Sequence, residues 1–97
     1  MSHYIILFNF TDQGIKNVKD SPKRADAFKT AVEKTGGKLI NLYYTLGKHD
    51  SVAIVEASND EAITWILYAT GCLGNVRSKT LKAFPMSDAA KIIEKLS

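Results

Sequence analysis

The sequence predicts an α+β fold, a ferredoxin-like βαββαβ sandwich with a four-stranded antiparallel sheet and one extra helix at the C-terminal end. Three observations carry this. Apolar, strand-like segments occur at residues 3–10, 38–46, 51–57 and 76–84. Segments of helical spacing separate the first strand from the second and the third from the fourth, and another follows the fourth. Finally, 97 residues of which 45% are hydrophobic and 24% charged sustain one core, so residues 1–97 form a single domain.

In the first strand Tyr4, Ile6, Phe8 and Phe10 point one way, while Ile5 and Leu7 point the other with Asn9. Residues 11–20 make a connection longer than the usual ~2–6 residues, marking it as a candidate functional loop. Ile15 and Val18 allow one helical turn inside it, with Thr11 or Asp12 as its cap. The first long helix opens with Ser21 as N-cap and Pro22 at the first helical position, repeats Ala25, Phe28, Val32 and Thr35, and ends at Gly36-Gly37. Lys23 and Arg24 stand where the helix dipole favours anions. The simpler partner is Asp20 or Asp26; a bound anion is the other.

The second strand, 38–46, turns at Gly47-Lys48-His49-Asp50 into the third, where Val52 and Ile54 face one side and Ala53, Val55 and Ala57 the other. Ser58-Asn59-Asp60-Glu61 has capping-box spacing for the next helix. Residues 62–70 contain no charge, which predicts cover on more than one side. The fourth strand carries Arg77, Lys79 and Lys82, the mark of an edge, and stops at Pro85. The last helix, capped by Ser87, bears Ala89, Ile92, Ile93 and Leu96 on one stripe. Strands one and three are the most apolar and belong in the middle of the sheet.

Two helices cover only one face of such a sheet. The other face, left open, is an apolar patch larger than monomers normally expose. The sequence therefore predicts a homodimer packed through the sheet faces, a dimeric α/β barrel, with the last helix clasping the partner.

A formal charge of +3 is mild, and the lysines read as solvated faces and edge protection. Neither basic cluster is interleaved with stacking aromatics, which argues against nucleic acid. A lone Cys72 excludes an internal disulfide framework, and no apolar run reaches the ~20 residues of a membrane span. The opening residues read as a strand rather than a leader, and the expected location is cytoplasmic.

The stretches Tyr4–Phe8, Thr11–Lys16 and Ser21–Arg24, then Gly36-Gly37, Leu42–Gly47 and Asp50–Ala57, then Gly74–Arg77 and Thr80–Phe84, resemble the GYD-domain family over nearly the whole chain. The name-giving Gly, spacer, Tyr, Asp motif reads Gly47-Lys48-His49-Asp50 here, with histidine in the tyrosine's place. The resemblance implies a small bacterial or archaeal protein of the dimeric α/β-barrel type and brings no settled activity.

The polar residues that can anchor a small-molecule or anionic ligand are Asn9, Asp12, Gln13, Tyr44, His49, Asp50 and Arg77. His49 has the chemistry of a general acid or base, while Asp50 suits a turn; adjacent strand residues point apart, which opposes a direct His–Asp pair. Asp12 and Gln13 stand at a strand end where they line a pocket mouth or cap the following turn. Tyr43, Tyr44, Trp65 and Tyr68 join apolar bodies to polar tips, as in small-molecule pockets and ordinary rims. Cys72 has no basic sequence neighbour to activate it. No metal-ligand spacing and no cofactor motif is present. The expected function is a small-ligand-binding or sensor module. The alternative is a cofactor-independent enzyme similar to the dimeric-barrel monooxygenases; resemblance to their haem-degrading members implies an Asn, Trp, His trio, for which Asn9 and Trp65 sit on suitable elements but no histidine follows the second helix. A nucleic-acid-processing or assembly protein is third.

Overall fold

The computed structural model describes residues 1–96. Its elements run β1 (Ser2–Phe10), α1 (Asp12–Lys16), a 3-10 turn (Val18–Asp20), α2 (Ser21–Lys34), β2 (Lys38–Tyr44), β3 (Ser51–Ala57), α3 (Asp60–Gly71), β4 (Val76–Ala83) and α4 (Met86–Ile93). The strands form one sheet in the order β2-β3-β1-β4, every neighbouring pair antiparallel, so the two most apolar strands are central. This is the ferredoxin-like arrangement, and the charged β4 is an edge.

Strand alternation decides the core. Tyr4, Ile6 and Phe8 from β1 and Ala53, Val55 and Ala57 from β3 are at most 5% exposed beneath Phe28 and Val32 of α2 and Ile63 and Ile66 of α3. Phe8 meets Phe28 edge to face, with centroids 5.4 Å apart. In β2 the register shifts between Leu39 and Asn41, so Ile40 is the extra residue of a bulge. The shift puts Leu39, Leu42 and Tyr44 opposite Val55, Ala53 and Ser51, on the helix side.

Several local expectations are corrected. Ser21 is not an N-cap: it has helical dihedrals, because the 3-10 turn runs straight into α2, and Asp20 precedes it without a side-chain cap bond. Asn59, extended and adjacent to Ser58, caps α3 by accepting from the Ala62 N–H. Pro85 rather than Ser87 precedes α4. β2 ends at Tyr44 and β4 at Ala83, each shorter than expected. The charge-free stretch 62–70 within α3 is not covered all round. Trp65 and Tyr68 are 48% and 73% exposed, since a single helical layer lies over the sheet and, among the described residues, nothing packs outside it.

The sheet face opposite the helices bears Ile5, Leu7, Val52, Ile54, Tyr43 and Leu81. α4 buries none of its residues, and Ile92, Ile93 and Leu96 stay exposed. Among the described residues no helix is long and apolar enough to cross a membrane.

Candidate functional site

The connection after β1 is an ordered brace. Thr11 caps α1, its hydroxyl accepting from the Gly14 N–H at 3.1 Å and donating to the Gly74 carbonyl at 2.6 Å. Gln13 donates to the Leu73 carbonyl and to Asn75 Oδ1. Gly14 has to be glycine, because a β-carbon there would stand 1.9 Å from the Asn75 carbonyl oxygen. Together these bonds pin α1 to the loop that joins α3 to β4.

A second cluster ties the β2–β3 turn to the end of β1. Gly47, with φ of +102°, allows the tight reversal. Asn9 donates through Nδ2 to the Lys48 carbonyl at 2.7 Å, which turns its Oδ1 toward His49 Nδ1, 3.0 Å away. An amide oxygen can only accept, so in this bond His49 Nδ1 is the donor. Thr45 donates to the His49 carbonyl at 2.6 Å. Asp50 accepts from the Phe10 N–H at 2.8 Å and donates its own N–H to the Phe8 carbonyl at 2.9 Å, acting as a continuation of the strand pairing.

On the helix side, at this same end of the sheet, lies a cavity of about 130 Å³ between β1, β2, α2 and the end of α3. Its walls are mostly apolar, among them Phe8, Phe28, Leu42 and Val76. The polar groups that line it are few. Ser21 is only 7% exposed, and its hydroxyl lies 2.7 Å from the Tyr44 hydroxyl. Arg24 donates to the Asn17 carbonyl at 2.9 Å and the Gly14 carbonyl at 3.2 Å, closing the end of α1. Among the described residues no carboxylate lies within ion-pair distance of Lys23 or Arg24, so the expected Asp20 or Asp26 bridge is absent. The backbone carbonyls of the α1 turn reach Arg24 first.

The far end of the sheet holds a third polar group. Tyr4 donates to Asp60 Oδ1 at 2.5 Å and Lys82 reaches the same oxygen at 3.1 Å. Burial, then the hydrogen bond to Asp60, pushes the Tyr4 hydroxyl above its ordinary pKa. The Tyr4 and then the Lys82 hydrogen bond holds Asp60 below the usual carboxylate value, and the Asp60 bond raises Lys82. On the open face His3 pairs with Glu56 at 2.9 Å.

The sequence-derived residues thus divide. Asn9, His49 and Asp50 come together at the β2–β3 turn, and Arg77 is paired with Asn9 across β1 and β4. Gln13 braces the α3–β4 loop, while Asp12 is the first residue of α1 and Thr11 caps it. Of the seven candidates, Tyr44 alone lines the cavity. Neither Asn9 nor Trp65 lines it, so the cavity does not unite the pair considered for oxygenase chemistry. Ser21, Arg24, Phe28 and Leu42 were missed as cavity residues. The one available signal was the pair of cations at the start of α2.

The GYD domain sequence model matches residues 4–93. A protein of Thermus thermophilus, described as a glutamine synthetase and cystathionine beta-lyase binding protein, is 28% identical over 89 residues, covering 91% of this chain and 94% of its own. Among solved structures, a feast or famine regulatory protein from M. tuberculosis, complexed with L-methionine, aligns with a TM-score of 0.67 at 15% identity. That match covers 89% of this chain and 52% of the regulator, so this chain spans about half the regulator's length. A structure from Thermus thermophilus aligns with a TM-score of 0.57 at 22% identity, over 88% of this chain and 95% of the other. At these identities the structural likenesses speak for the fold.

Proposed function

This chain belongs to the GYD-domain family, and from that premise we propose that it is a homodimeric small-ligand-binding or sensor module of the cytoplasm, its ligand held in the cavity between α2 and the sheet. The observation that carries the reading is the cavity itself. It is a compact apolar space with a few convergent polar groups, the form that small-molecule sites take. What supports pairing is the open sheet face, where Ile5, Leu7, Val52 and Ile54 are only half-buried and Leu81 is 52% exposed. Burial of such a patch contributes roughly 25 cal/mol per Å². A second copy offers the same apolar face in return.

The test is a fragment panel followed by NMR on the full chain. Ligands that shift Phe28 and Leu42 while leaving the Tyr4–Asp60 end unchanged support the reading. A broad panel that moves no cavity residue overturns it.

A second reading is favoured by the description of the Thermus relative as an enzyme-binding protein. In this chain the surface suited to it is the outer side of α3, where Trp65 and Tyr68, three residues apart, expose their rings. Pull-down of the two named enzymes by the native chain, and its loss with Trp65→Ala, would favour this reading.

A further inference from the structure

We propose that the helix-side cavity selects a compact carboxylic acid, with a single-ring or similarly small apolar body and no amino group, and that Arg24 and the Ser21–Tyr44 hydroxyl pair receive its carboxylate. The proposal rests on the reading of this cavity as the binding site and adds the chemical class of its ligand.

Size sets the body. A cavity of about 130 Å³ is close to the roughly 150 Å³ apolar cavity that takes up benzene. The walls contributed by Phe8, Phe28, Leu42 and Val76 suit a ring or a branched chain.

Charge sets the head group. Arg24 lines the space and is half-buried. Two hydrogen bonds to backbone carbonyls engage part of its guanidinium, which carries five N–H donors. Among the described residues no carboxylate neutralises it. A cation held partly out of water beside an apolar wall gains most from an anion that arrives with the ligand. The adjoining hydroxyls strengthen the preference. Ser21 and Tyr44 share one hydrogen bond between them, and two hydroxyls sharing one bond keep one O–H free to donate. The polar groups at this end therefore offer donors that match carboxylate oxygens.

The third constraint is what the lining lacks. None of the cavity residues is an Asp or Glu. The ammonium group of a free α-amino acid would lose its water there and find no counter-charge, a cost that a simple carboxylic acid does not meet. The site should therefore separate benzoate from the amino acid of the same ring size.

The experiment titrates the 97-residue chain with benzoate, benzyl alcohol and L-phenylglycine by calorimetry, with NMR assignment of Phe28 and Leu42 to locate each ligand. Benzoate is expected to bind in the cavity at least about tenfold more tightly than either of the others. Arg24→Gln should bring benzoate down to the level of benzyl alcohol. Continued binding of benzyl alcohol by that variant shows that the cavity survives the loss of the α1 cap. Tyr44→Phe, which leaves Arg24 in place, should weaken benzoate several-fold and leave benzyl alcohol unchanged. Equal affinity for benzoate and benzyl alcohol, or a preference for phenylglycine, overturns the carboxylate assignment while the binding-site reading stands. If none of the three moves Phe28 or Leu42, the carboxylate assignment falls, and the binding-site reading is decided separately by the broad fragment panel.

Discussion

The two faces of the sheet are made from the same strands, and side chains of similar kind alternate between them, yet they end in different environments. On the helix side Tyr4, Ile6, Phe8, Ala53, Val55 and Ala57 are nearly or fully withdrawn from water. One residue along in each strand, Ile5, Leu7, Val52 and Ile54 remain half-buried, with the His3–Glu56 pair, Arg77 and Lys79 on the same side. Burial here follows from which face α2 and α3 happen to cover, because hydrophobicity alone would bury both. The covered face supplies the protomer's own stability, and it also frames the cavity. The open face has apolar surface to spare, and in our reading a second copy uses it.

Breaking the covered face should have the largest effect. Ile6 is fully buried at the centre of the core. Ile6→Ala should lower the unfolding free energy by about 2–5 kcal/mol, the usual cost of a cavity at a core position. Denaturant titration at two protein concentrations measures it, and the loss should appear at both. A change under about 1 kcal/mol would mean that the core is not centred where the burial pattern puts it.

The matching substitution on the other face should act differently. Ile54→Lys places a charge directly opposite Ile5 and on the same face as Val52 and Leu7, without disturbing the helix side. If the open face joins two copies, the native chain sediments as a dimer with a melting temperature that rises with concentration, and the variant sediments as a folded monomer. A native chain that stays monomeric at roughly 100-fold different concentrations, or a variant that still pairs, removes the sheet-face dimer.

At the junction of the two faces the effects are smaller. Asp50 accepts the Phe10 N–H and so finishes β1, whereas the His49 side chain bonds only that of Asn9. Asp50→Ala should cost on the order of 1–2 kcal/mol, since a half-buried backbone donor loses a charged acceptor, and His49→Ala less. Equal losses would give the histidine a structural weight that its single bond does not suggest.

How far these features could be read from the chain depends on how local their causes are. The order of strands was legible because charge on β4 and unbroken apolar runs in β1 and β3 are properties of single segments. The turn cluster of Asn9, His49 and Asp50 was legible in part, since Gly47 and Asp50 are turn residues wherever they occur. The cap of α3 was misplaced by one residue because Ser58 and Asn59 are both good caps and only the extended dihedrals of Asn59 decide between them. The cavity was the least legible. Ser21 meets Tyr44 across 23 positions of sequence, and Arg24 turns to carbonyls of a short helix whose position depends on Gly14 reaching Asn75. Such pairings are set by tertiary packing and leave no periodicity behind. The bulge at Ile40 is similar: it decides which side of the sheet Leu42 and Tyr44 take, and nothing in Lys38–Tyr44 announces an extra residue.

The smallest expected effect lies at the rim of the covered face, where Tyr4 emerges from the core to meet Asp60 and Lys82. The sign of its pH dependence differs at the two ends of the scale. Asp60 is held below its ordinary value of 3.8 in the folded chain, so its contribution is present above that pH and fades as acid drives the pH down through the depressed folded value. Tyr4 is raised above 10.0, so its contribution is complete below that pH and is lost as alkali carries the pH up through the raised folded value. Tyr4→Phe keeps the buried ring and removes the hydroxyl that couples the two groups. Its denaturation midpoint should therefore change less steeply than the native one both below about pH 4 and above about pH 10, by amounts smaller than the Asp50→Ala loss, because Asp60 and Lys82 stand in solvent. Parallel midpoint curves for the two proteins would show that this rim contributes only its packing, and that the covered face owes its stability to apolar burial throughout.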